Sequence, residues 1–125
     1  MAAPAQARVS FIDDDLSVRE SLPDLLRQFG LDVRTFSSAA AFLDSGAVAE
    51  TDCLILDYAM PGMSGEGLML HLIGRGYKIP TVFITAHADY ALRQRLLDEG
   101  ATECLFKPLC PQALQQALQR ILPGL

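Results

Sequence analysis

A chain of 125 residues suits one domain, and at this size roughly two-thirds of the unfolded surface can be buried without disulfide or metal staples. Half the residues are hydrophobic, yet no apolar run approaches the roughly 20 residues that cross a bilayer, so a soluble, cytoplasmic protein with no membrane partner is expected. The formal charge of -5 repels a phosphate backbone, which argues against direct nucleic-acid binding by this chain.

Met1 to Ala7 lack an apolar core behind a basic end, so they read as a disordered tail and not as a signal peptide, leaving residues 8–125 as a single domain. Val9-Ser10-Phe11-Ile12 then reads as a strand that stops at the acidic triplet Asp13-Asp14-Asp15. Val18, Leu22, Leu25, Leu26 and Phe29 recur at helical spacing, and Gly30 stands where such a helix should end. Pro23 interrupts this pattern and predicts a kink, with the ring on the outward face. Leu31 to Phe36 alternates like a half-exposed edge strand, and Ser37 or Ser38 can cap a short helix carrying Ala41, Phe42 and Leu43.

The central feature is Cys53-Leu54-Ile55-Leu56-Asp57, an apolar run that ends in one acid before Pro61-Gly62. Such a run suits a strand covered on both faces, as in parallel sheets. Ser64 can cap a following helix whose buried stripe would hold Leu68, Leu72 and Ile73. Pro80 to Thr85, with Pro tolerated at the first residue, reads as a second buried strand and ends in a hydroxyl. A helix from about Asp89 to Glu99 closes at Gly100, Thr102 to Phe106 forms a last strand ending at Lys107-Pro108, and Pro111 opens a helix with Leu114, Ala117, Leu118 and Ile121 on one face. Five strand–helix alternations predict an α/β fold, a doubly wound parallel sheet with helices on both faces. With strand order 2-1-3-4-5 the switch point falls between the first and third strands.

Four of the five strands therefore end in chemistry: Asp13 and Asp14, Asp57, Thr85 and Lys107. In a parallel sheet these ends share one edge, and three adjacent carboxylates would raise one another's pKa unless a cation joined them. Magnesium suits such a site, because it prefers oxygen ligands and is commonly held by one or two carboxylates and a phosphate. An Asp carboxylate can itself attack phosphorus, with Lys107 pairing one phosphoryl oxygen and the Thr85 hydroxyl donating to another. Ala86 is small enough to leave the approach to Asp57 open.

These residues carry a family resemblance. Cys53 to Gly65 (CLILDYAMPGMSG) and Ile84 to Asp89 (ITAHAD) resemble the receiver domains of two-component response regulators, the FixJ-type subgroup in particular, over Arg8 to Leu122. The resemblance implies a CheY-like, flavodoxin-like fold and a phosphoprotein in which Asp57 accepts a phosphoryl group from a sensor histidine kinase. It implies Mg2+ held directly by Asp14 and Asp57, through water by Asp13, and by the carbonyl of Ala59. Thr85 would be the switch hydroxyl, Lys107 the phosphate-pairing lysine, and Lys107-Pro108 a cis bond. It also implies a signalling module that catalyses only its own phosphotransfer and hydrolysis, possible dimerisation through helix four, strand five and helix five, and transcriptional output through a separate domain.

Two departures stand out. Receivers usually carry Tyr or Phe three residues before the lysine, where this chain has Cys104. Phe106 shares strand parity with Cys104 and could supply the aromatic output surface instead, or could simply rest on a neighbouring helix. Pro23 falls in the helix that contributes to kinase docking in this family. Two alternatives follow. One is a phosphorylation-independent pseudo-receiver, suggested by Cys104. The other is a haloacid-dehalogenase-like phosphatase, disfavoured because the position two residues after its nucleophile would be Ala59 and not an acid. Asp15 reads as a helix-start residue, His71 and His87 as surface or loop residues, and Met60 and Met63 as loop packing. Cys53, Cys104 and Cys110 make no paired motif, so reduced thiols are expected and zinc is not.

Overall fold

The structure, a computed structural model, describes residues 6–86 and 88–122. Among these, five strands, β1 (Arg8–Ile12), β2 (Asp32–Phe36), β3 (Cys53–Asp57), β4 (Thr81–Thr85) and β5 (Glu103–Phe106), alternate with five helices. The helices are α1 (Leu16–Gln28), α2 (Ala39–Ser45), α3 (Gly65–Gly74), α4 (Tyr90–Glu99) and α5 (Pro111–Ile121), with a 3-10 turn at Ala47–Glu50 before β3. Every strand pair is parallel and the order is β2-β1-β3-β4-β5, as the alternation of elements anticipates.

Alternate residues of the inner strands feed two separate cores. Val9, Phe11, Cys53, Ile55, Val82 and Ile84 face α1 and α5, whereas Ile12, Leu54, Leu56 and Phe83 face α2, α3 and α4. Burial on both faces explains why β3 and β4 read as continuous apolar runs and not as alternating ones. Phe11, Phe42 and Phe83 are fully enclosed, and burying each such ring contributes on the order of 2–3 kcal/mol.

The capping residues act as their types predict. Side-chain oxygens of Asp15, Ser38, Ser64 and Asp89 accept backbone N–H bonds from Ser17, Ala41, Gly67 and Ala91, satisfying the orphan donors at four helix starts. Asp89 is thus the cap of α4 and not its first residue.

Two expectations about faces are corrected. Pro23 is buried with Leu22 and Leu26, so the covered stripe of α1 is wider than a four-residue repeat implies, and the helix runs as one element from Leu16 to Gln28 across it. In α3 the buried side chains are Leu68, Met69 and Leu72, while Ile73 is 46% exposed. Met69, one turn before Leu72, takes the inward place, and Ile73 rolls toward the end of α4, where a Cβ on Gly100 would lie 2.9 Å from its Cδ1. Residues 1–5 of the expected tail lie outside the described residues, but Gln6 donates to the Gly30 carbonyl at 3.2 Å and Ala7 accepts from the Asp32 N–H at 3.0 Å. Among the described residues no helix is long and apolar enough to cross a membrane.

The three cysteines are free thiols, as anticipated. Cys53 is buried in β3, and desolvation, with the Asp52 charge adding to it, pushes its thiol up to about 12. Burial also raises Cys104, whereas Cys110 is exposed. Because the thiolate is the reacting form, brief iodoacetamide treatment of the native protein should add one group, at Cys110, and unfolding should expose the other two. Peptide mass mapping checks this; early modification of Cys53 would contradict the packing.

Candidate functional site

Parallel pairing sends the carboxyl ends of all five strands to one edge of the sheet, and backbone bonds extend the ladder one residue beyond several of them. The Asp13 N–H donates to Phe36 at 3.1 Å, Tyr58 to Ile84 at 3.0 Å and Lys107 to Thr85 at 2.8 Å. Side chains just past the strands therefore start from fixed positions.

Because β1 lies beside β3, Asp13 and Asp14 stand next to Asp57, and one oxygen from each lies within 4.8 Å of the others. Lys107, arriving from the far side of β4, places its Nζ 3.5 Å from Asp13 Oδ2 and 3.7 Å from Asp57 Oδ1. Asp13, Asp57 and Thr85 are 0%, 6% and 1% exposed, whereas Asp14 opens to solvent. The Asp13 carboxylate accepts the Asp15 N–H at 2.9 Å, and the Asp13 carbonyl accepts from Arg19 Nη1 at 2.8 Å, which fixes the start of the acidic loop. The Lys107-Pro108 bond is cis, as the resemblance implies.

Crowding sets the electrostatics. Burial and then the charge of Asp13 push the Asp57 carboxyl up to about 7; Lys107 opposes the shift and Asp14 adds to it. Asp13 and Asp57 share the Lys107 ammonium and Asp14 stands beside them, so negative charge is in excess in this cluster. All donors are hard oxygens, a set that fits magnesium or a similar divalent cation and does not fit a soft metal. Ala59, whose carbonyl is the expected further ligand, lies exposed in the loop that leaves Asp57.

Cys104 and Phe106 lie away from this cluster, on the face covered by α4. Cys104 is 3% exposed, and its carbonyl accepts from Arg93 Nε at 3.4 Å. Phe106 is half-buried and meets Tyr90 edge-to-face, with ring centroids 5.4 Å apart. The two residues share a face, as strand parity requires, and Phe106 both rests on α4 and borders the surface, because Tyr90 is 75% exposed. Ala86 is exposed and opens onto a groove of about 760 Å³ bordered by Tyr58, Asp89, Leu92 and Arg95.

Asp15 caps α1 as expected, and the Ser17 hydroxyl and N–H hold its carboxyl below the usual range. Met60 is buried, but Met63 is an exposed loop residue, so the packing expectation holds for Met60 alone. His71 is half-buried on α3, and His87 lies outside the described residues. Sequence reasoning missed Arg19 at the Asp13 carbonyl and Arg95, which reaches Tyr58 and Glu66. Neither arginine belongs to a local motif; the Arg95 partners lie 37 and 29 residues away.

A parallel 2-1-3-4-5 sheet with an acid cluster at its switch point, faced by a lysine, is the frame of a receiver domain, and this chain belongs to the response regulator receiver domain family, whose model matches residues 9–119. It is 40% identical to the transcriptional regulatory protein FixJ of Azorhizobium caulinodans over 95% of this chain and 56% of that protein. It is 39% identical to nodulation protein W of Bradyrhizobium diazoefficiens over 93% of this chain and 51% of that protein. The chain thus spans about half the length of these curated relatives. Among solved structures, the response regulator StyR superimposes with a TM-score of 0.85 at 45% identity, covering 94% of this chain and 60% of that one. FixJ-N superimposes at 0.84 with 30% identity, covering 98% of each.

Proposed function

We propose that this receiver accepts a phosphoryl group from a sensor histidine kinase on Asp57 and switches an output or dimerisation surface formed by α4, β5 and α5. The observation that supports it best is the Asp57 carboxylate, 3.7 Å from Lys107 and clustered with Asp13 and Asp14 at the edge of the sheet. In the transfer, an Asp57 oxygen forms a bond to phosphorus as the bond from phosphorus to the donor nitrogen breaks, its electrons returning to the imidazole. The reaction needs positioning and charge neutralisation more than covalent help. Lys107 would move from sharing Asp13 to pairing a phosphoryl oxygen, and the Thr85 hydroxyl, on the neighbouring strand, would donate to another. Asp13, Asp14, Asp57 and the Ala59 carbonyl would hold Mg2+, which when bound supplies further charge to the phosphoryl oxygens. Phe106 with Tyr90 would form the aromatic part of the output face.

Residues 8–125 would act as one receiver module, with transcriptional output supplied by a separate domain. It would not be a metabolic enzyme. The net negative charge leaves DNA contact to that other domain, and the compartment would be the cytoplasm.

The test is intact-protein mass after incubation with Mg2+ and acetyl phosphate. The wild type should gain one phosphoryl group and Asp57→Asn none. No gain in folded, magnesium-binding wild type would reject the acceptor role and favour a phosphorylation-independent module, a reading that Cys104 supports.

A further inference from the structure

Tyr58 follows Asp57 directly, and its backbone is anchored twice, through its N–H to Ile84 and through its carbonyl, which accepts the Gly65 N–H at 3.3 Å. Its side chain extends toward α4, where Arg95 Nη2 donates to the phenolic oxygen at 3.1 Å. The same guanidinium donates to both oxygens of Glu66, at 3.1 Å through Nη2 and 3.2 Å through Nε. Glu66 lies in the first turn of α3, so a single α4 side chain holds both ends of the loop that leaves Asp57. Glu99, one turn further along α4, adds to this cluster. Among the described residues its Oε2 is buried without a hydrogen-bond partner, and the neighbouring Glu66 raises its carboxyl.

The rest of α4 is held by partly buried side chains and polar contacts: Leu92 and Leu97 rest on the core, and Arg93 pairs with Glu103 of β5 at 2.7 Å. Leu96 is its one buried residue, against three each in α1 and α5 and four in α3, and the open groove beside Tyr58 and Arg95 leaves room for displacement. A helix with so little buried apolar surface responds to small changes in its polar contacts. At position 104, where an aromatic relay would turn, there is a small buried thiol with no ring to rotate. The three guanidinium bonds instead form a continuous path, and the planar fork fixes direction even where water screens its charge.

We propose that the Tyr58–Arg95–Glu66 clamp conveys the state of Asp57 to α4, so that any shift of the loop at Asp57 carries α4 with it. The proposal rests on Asp57 being the phosphoacceptor. Arg95 is thereby a positioning residue and touches no reacting atom.

Hydrogen–deuterium exchange of the α4 segment, measured with Mg2+ and with or without acetyl phosphate, tests it alongside intact mass. Wild type should gain the phosphoryl mass and change its α4 exchange. Arg95→Gln should gain the same mass and lose the α4 change. Tyr58→Phe, which keeps the ring and the Glu66 half of the clamp, should fall between them. Phosphorylated Arg95→Gln with a wild-type α4 response would overturn the proposal, as would phosphorylated wild type with no α4 response. Absence of mass gain in wild type would instead refute the acceptor reading beneath it.

Discussion

Asp57→Asn is expected to be more stable than the wild type in chelator at pH 8, by about 2 kcal/mol, although on the proposed function it would no longer accept a phosphoryl group. The native carboxyl sits near 7 against an ordinary 3.8, so above pH 7 the folded state holds a charge that burial and Asp13 disfavour. At about 1.4 kcal/mol per tenfold change in proton affinity the penalty approaches ~4 kcal/mol. Water at the open side of the cleft screens these charges and reduces the net gain to roughly half.

The sign follows from proton counting. Below about 4 the group is protonated in folded and unfolded chains alike, and no penalty exists. Between about 4 and 7 the folded chain binds the extra proton, so wild-type stability falls as pH rises, and above 7 the penalty is constant. The advantage of Asn should therefore be absent near pH 4, grow across this window and reach a plateau, worth roughly 5–10 °C in melting temperature. Magnesium should narrow the gap, because the wild type gains a neutralising ligand that the variant binds less well. Thermal melts at three pH values, with chelator and with Mg2+, measure all of this. An Asn variant less stable than wild type at pH 8, or a difference independent of pH, would refute the electrostatic account of the cleft.

Gly65→Ala should cost about 2–3 kcal/mol, unusually much for the first residue of a helix. A Cβ there would collide with the backbone carbonyl of Asp57 and lie 3.0 Å from Cε1 of the fully buried Phe83. Neither neighbour can yield. The carbonyl belongs to the central strand, and the ring is enclosed between β4 and α3, so the start of α3 must lift instead. That movement displaces the loop carrying Ala59, and a weaker Mg2+ effect on melting should accompany the lost stability. Gly74→Ala is the control, because its Cβ would meet nothing within 4 Å, and helix propensity should leave it neutral or stabilised by about 0.5–1 kcal/mol. Equal melting temperatures for Gly65→Ala and wild type would show that the close approach is relaxed in solution.

The sequence alone determined the elements and the chemistry at their ends. Apolar runs bounded by turn residues and the 3.6-residue helix period are local properties, so β3, β4 and α5 could be read from the chain, as could the cap at Ser64 and the helix start at Asp15. Asp13, Asp14, Asp57, Thr85 and Lys107 were legible for the same reason: each lies at a strand end, and parallel strands put such ends on one edge. Only the tertiary structure decided how those elements roll and which distant groups meet. The roll of α1 buried Pro23, and that of α3 turned Ile73 outward in favour of Met69, because a helix wedged between a sheet and its neighbours covers more than one narrow stripe. The raised pKa of Asp57 required its burial in the folded cleft and the adjacency of β1 and β3, which brings the Asp13 charge beside it. The Arg95 bonds to Tyr58 and Glu66 and the Tyr90–Phe106 contact join elements far apart in sequence, where no spacing rule applies and packing alone sets the partners.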